Sequence, residues 1–145
     1  SIKYVTSKIN HNKNLNQSEL LFGLKKTIAD QLKEKHGIQI TVVNARFIKP
    51  LDKETLFEHA NNHQSIITLE DNVLMGGFGS SILEALEEKS ISIDVKRFGW
   101  PDQFIEHGNS VNELRSKFGL DRESLTQSIE EFLSLEDQVA TPIFA

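Results

Sequence analysis

The chain contains no cysteine, which excludes disulfides, thiolate metal sites and thiol nucleophiles. It also lacks a basic excess. The formal net charge is -5, and a protein that holds nucleic acid or an anionic membrane surface needs a basic face. No apolar run approaches the roughly 20 residues of a membrane-spanning helix. The opening Ser1-Ile2-Lys3-Tyr4 lacks the basic-then-apolar layout of a secretory leader, and the missing initiator Met fits a fragment or a processed chain. There is no G-x-G-x-x-G, no P-loop and no G-x-S-x-G nucleophile elbow, so nothing assembles a nucleophile, a base and an oxyanion hole.

What is present is the raw material of a single soluble domain. Apolar residues make up 38% of the 145 and charged residues 26%, interleaved along most of the chain. Residues 1–19 stand apart. Asn10, His11, Asn12, Lys13, Asn14, Asn16 and Gln17 offer too little apolar area to offset ordering entropy, which predicts a loop or insert, preceded by a short strand at Ile2 to Thr6. From residue 20 to 133 apolar runs and amphipathic stretches alternate, and the tail 134–145 has no strong pattern.

Glu19 to Gly23 reads as a short buried strand. Leu24, Ile28 and Leu32 form the stripe of a helix ended by Gly37. Ile38 to Val43 is β-branched and nearly all apolar, as a strand covered on both faces is. Asp52 caps a helix over Lys53 to Asn61, and Ser65 to Leu69 is a further strand. A glycine-rich turn then leads into a helix carrying Ile82, Leu83 and Leu86. Ile91 to Phe98 is the last strand, followed by helices at Val111 to Phe118 and Arg122 to Leu133. This order calls for an α/β fold, a three-layer αβα sandwich on a mostly parallel open sheet of about five strands.

Open sheets of this kind bind ligands at the carboxyl ends of their strands, and two loops fall there. In the first, Gly76, Gly77, Gly79 and Ser80 precede a helix whose free N–H groups favour an anion, while Glu70 and Asp71 beside them would repel one. A tight turn packed against a neighbouring segment or subunit is the stronger reading. The second loop, Gly99 to Gly108, carries Asp102, Glu106 and His107. Glu106 and His107 are adjacent and diverge on any regular element, so a structural or interface hydrogen bond outranks a catalytic dyad. His59 and His63 share a helix face at i, i+4 spacing, but Ala60 stands where a zinc protease needs Glu. The residues by themselves assign no catalytic, cofactor-binding or metal-binding position.

Four stretches carry a resemblance. Val42 to Asp52 resembles the segment that opens the conserved half of the C-terminal domain in transketolase-like thiamine enzymes. Thr68-Leu69-Glu70-Asp71-Asn72 with Gly76-Gly77-Phe78-Gly79-Ser80 resembles the E-(E/D)-x…G-G-x-G-S turn of that family, with Asn72 where relatives often have His. Gly99 to Gly108 is similar to the G-x-P-D-x-F-I-E-H-G signature of the deoxyxylulose-phosphate synthase family, and Phe118-Gly119-Leu120-Asp121 to the step before its final helix.

The resemblance implies a transketolase C-terminal-like domain over residues 20–133. The implied enzyme is a transferase that condenses pyruvate with glyceraldehyde 3-phosphate, releasing carbon dioxide, to make a precursor of isoprenoids, thiamine and pyridoxal. Thiamine diphosphate and Mg²⁺ are implied for the full-length homodimer, held by an N-terminal and a middle domain, with none expected in this chain. Its implied work is to brace the middle domain and the dimer. A bacterial cytoplasm, a plastid stroma or an apicoplast is the implied location. The alternative is an interaction domain of a related 2-oxoacid dehydrogenase β-type subunit, and a third reading is a free-standing regulator that binds a small anion at Gly76 to Ser80.

Overall fold

The computed structural model describes residues 2–7, 15–45, 50–103 and 110–134. Among these residues nine elements follow one another: β1 (Ile2–Ser7), α1 (Leu15–His36), β2 (Ile40–Ala45), α2 (Lys53–Asn62), β3 (Ser65–Val73), α3 (Phe78–Glu88), β4 (Asp94–Trp100), α4 (Val111–Lys117) and α5 (Arg122–Phe132). The strands form one parallel sheet in the order β2-β1-β3-β4. β1 is an interior strand, paired with β2 on one side and β3 on the other.

The strand expected at Glu19 to Gly23 is helical instead. α1 begins at Leu15 and runs unbroken through Gly23 to His36. A short apolar run is ambiguous between strand and buried helix, and here no turn separates it from the amphipathic stretch that follows. A lone glycine inside a helix lowers its stability without ending it. With that segment in α1, the sheet has four strands among the described residues.

Strand alternation divides the core. Ile66 points to α2 and α3, where it joins Leu56, Ala60, Phe78, Ile82 and Leu86. Ile67 and Leu69 point the other way, to Ile28 and Leu32 of α1 and to Leu125 and Ile129 of α5. Local signals set the ends of the helices. Asp52 accepts the Thr55 N–H, Ser110 and Glu113 form a capping box, and Asp121 accepts the Ser124 N–H. Gly37 adopts a φ of +68° and its N–H closes on the Lys33 carbonyl, ending α1 as its sequence position predicts. No described helix is long and apolar enough to cross a membrane.

Ile129 has no exposed surface and sits where α5 meets both α1 and the sheet. Ile129→Ala should therefore lower unfolding stability by about 2–5 kcal/mol, measured by urea denaturation.

Candidate functional site at the carboxyl ends of β3 and β4

The register of β3 against β4 runs evenly to Leu69↔Phe98 and resumes at Val73↔Trp100. Glu70, Asp71 and Asn72 thus stand opposite Gly99 alone. Such an irregularity bends the strand, while the alternation of Ile66 and Ile67 carries on through Glu70 and Asp71. Glu70 and Asp71, neighbours in sequence, go to opposite faces of the sheet.

Glu70 turns toward α3 and is 1% exposed. One carboxylate oxygen accepts the Phe78 N–H at 3.0 Å and the other accepts the Gly79 N–H at 2.7 Å. These are amides of the first turn of α3, the place where a helix attracts an anion. The chain's own carboxylate fills it. Glu70 therefore does more than repel a foreign anion at this terminus; it occupies the site. Burial pushes its pKa up, against the pull of the Gly79 and Phe78 amides and of the Arg97 charge.

The glycines make room for this contact. A Cβ on Gly77 would lie 1.9 Å from Glu70 Oε1 and 2.6 Å from the Val73 carbonyl oxygen. A Cβ on Gly79 would meet Arg97 Nε at 2.6 Å, Thr68 Oγ1 at 3.0 Å and Glu70 Oε2 at 3.1 Å. Gly76 has a different reason, a φ of +68° in the turn itself. Arg97, from β4, donates to the Leu74 carbonyl and, at 2.9 Å, to Ser80 Oγ, while the Ser80 hydroxyl donates to the same carbonyl at 3.0 Å.

On the other face, Asp71 accepts the Trp100 indole N–H at 2.7 Å and an Arg115 N–H of α4 at 3.3 Å. Trp100 packs edge-on against Phe118 with ring centroids 5.9 Å apart. Behind them lies Lys25 of α1, only 1% exposed. Burial lowers its pKa to about 7, and the charge of Asp71 partly offsets that fall.

Of the loop residues picked out in the sequence, Glu70, Gly77, Gly79 and Ser80 come together, and Gly76 shapes the turn beside them. Asp102 is exposed in the second loop, and Glu106 and His107 lie outside the described residues. His59 and His63 do meet, ring edge to ring at 5.7 Å, with the His63 ring against the His59 carbonyl. No group of His, Asp and Glu among the described residues could hold a metal ion. The sequence reading missed Asp71 as a tie, together with Arg97, Arg115 and Lys25. Lys25 had left a signal: it stands in register with Ile28, Ala29 and Leu32 on the buried stripe of α1.

The glycine geometry has a direct test. Gly77→Ala forces its Cβ into the Glu70 carboxylate and a backbone carbonyl, and should cost about 1–3 kcal/mol. Gly23→Ala places a methyl group in open space on α1 and should gain about 1 kcal/mol. Thermal or urea melts of the two variants should move in opposite directions.

The family model for the transketolase C-terminal domain matches residues 24–125. The chain is 48% identical over 101 residues to 1-deoxy-D-xylulose-5-phosphate synthase of Caldanaerobacter subterraneus, which covers 70% of this chain and 16% of that protein. It is 42% identical over 110 residues to the same enzyme of Acidobacterium capsulatum, covering 74% of this chain and 17% of that protein. It spans about one sixth of the length of these relatives. Among solved structures it is similar to a split-gene transketolase described as an inactive β4 tetramer, with a TM-score of 0.72 and 27% identity over 92% of this chain and 39% of that one. The family match takes in β2, β3, β4 and the Glu70-to-Ser80 turn, so the chain belongs to the transketolase C-terminal domain family.

Proposed function

We propose that this chain is the C-terminal domain of a 1-deoxy-D-xylulose-5-phosphate synthase. The full-length enzyme joins pyruvate and glyceraldehyde 3-phosphate, with loss of carbon dioxide, to give 1-deoxy-D-xylulose 5-phosphate. The observation that carries this reading is the 42–48% identity to synthases along the segment that holds the paired acids and the glycine turn. Those named relatives favour it over a docking domain of a 2-oxoacid dehydrogenase.

Within that enzyme the domain braces and does not catalyse. Its polar groups at the carboxyl edge are used on one another: Glu70 on α3, Arg97 on Leu74 and Ser80, Asp71 on Trp100 and Arg115. The described residues do not fit thiamine diphosphate. The α3 terminus that could take a diphosphate is filled by a carboxylate, which repels phosphate oxygens, and the G-D-G motif is absent from the sequence. The cofactor, with Mg²⁺, belongs to N-terminal and middle domains of the same enzyme. The turn at Gly76 to Ser80 faces those domains or the second subunit of a homodimer. In support, Met75 is 73% exposed and Val111 is 55% exposed on the same edge. The negative charge supports a partner set without nucleic acid or membrane, in a bacterial cytoplasm or a plastid stroma.

A coupled assay with pyruvate, glyceraldehyde 3-phosphate, thiamine diphosphate and Mg²⁺ checks the reading. The chain alone should show no turnover, and adding the upstream domains as a separate polypeptide should produce it. Turnover by the chain alone would overturn the bracing role, and silence of the mixture would count against the synthase assignment.

A further inference from the structure

α4 and α5 follow one another across a single turn, yet the two are held differently. α5 places Leu125 and Ile129, neither with any exposed surface, in the core beside α1 and the sheet. None of the seven residues of α4 is buried, and all but Leu114 and Arg115 are exposed. Burial resumes only at Leu120, past Gly119, whose φ of +71° forms the turn between the helices. Each end of α4 is closed locally. Ser110 and Glu113 form the capping box at one end, and at the other the Gly119 and Leu120 N–H groups return to the Ser116 and Arg115 carbonyls. Among the described residues, a single ion pair or hydrogen bond leaves α4 for another element. It runs from Arg115 to Asp71 Oδ2 at the end of β3, at 3.3 Å.

We propose that α4 is a strap, fastened to the sheet by the Arg115–Asp71 pair and able to come away while the rest of the domain stays folded. Release takes little from the core, because no residue of either buried cluster comes from α4. It separates two charged side chains that already meet water, Arg115 at 23% exposure and Asp71 at 28%, so both rehydrate readily. Asp71 keeps the Trp100 indole N–H on its other oxygen, and the carboxylate is not left without a partner. Seven residues are too few for a helix to persist alone in water, so a released α4 unravels and its amides meet solvent. The closed form presents a neutralised pair at the carboxyl edge; the open form presents a carboxylate with one oxygen free.

Amide hydrogen exchange read residue by residue, corrected for the intrinsic rate, tests this. In the unaltered chain the amides of Leu114 to Phe118 should have an opening constant at least about tenfold above that of Ser128 to Glu130 in α5. Arg115→Gln, which removes the charge, should raise the α4 opening constant about two- to fivefold and leave α5 unchanged. Arg115→Lys keeps the charge without the planar fork and should raise it less. Going from about 0.1 M to about 1 M NaCl shortens the screening length from about 10 Å to about 3 Å. That change should loosen α4 in the unaltered chain and have no such effect in Arg115→Gln. One opening constant shared by α4 and α5 overturns the proposal, because the strap then leaves only when the whole domain unfolds. An α4 opening constant that Arg115→Gln leaves unchanged, or a salt response that survives that substitution, overturns it equally.

Discussion

The carboxylate of Glu70, laid across the first two amides of α3, is the contact on which the carboxyl edge depends. A helix terminus buried without partners for its N–H groups is costly, and Gly77 supplies no side chain to cap it. Glu70 satisfies two of those groups from a neighbouring strand, so the terminus and the end of β3 become one unit. The absence of a side chain at Gly77 and Gly79 follows from that contact, because the carboxylate and the Arg97 guanidinium occupy the space. Arg97 then fastens the turn above to β4 through Leu74 and Ser80.

Asp71 does for the other layer what Glu70 does for the first. Its two oxygens gather Trp100 from β4 and Arg115 from α4, and Trp100 in turn packs on Phe118. The segment that resembles a ligand-binding loop is thus a pair of ties, one on each side of the sheet. This is what the proposed bracing role requires at the edge where the loops gather. It also explains why two acids beside a glycine-rich turn need not signal acid–base chemistry.

Much of this was legible in the sequence, and the failures have physical causes. The strands at β2, β3 and β4 announced themselves through β-branched runs bounded by turn residues, and Asp52, Asp121 and Gly37 marked helix ends through chemistry local to a few residues. Leu20, Leu21 and Phe22 were misread because an apolar run that short has no period of its own. The glycine turn is visible in the sequence as a packed turn, but what it packs against is not. Glu70 falls on the α3 face by the same alternation as Ile66, but that the Phe78 and Gly79 amides stand opposite it depends on where α3 packs, which no local pattern records. Arg97 and Arg115 are ordinary surface residues to a sequence reader until the strands carrying their partners are placed beside them.

The same alternation of side chains puts a constraint on chain length that substitutions do not reveal. At the end of β3 that alternation sends Glu70 to α3 and Asp71 to Trp100 and Arg115. Deleting or inserting one residue ahead of the pair would exchange their faces. An aspartate would then confront the helix terminus with a side chain one methylene too short, and a glutamate would crowd the indole. Neither acid could be restored by changing another residue's identity; only a second change in length would return both to their faces. At this edge of the fold, spacing is inherited as strictly as chemistry.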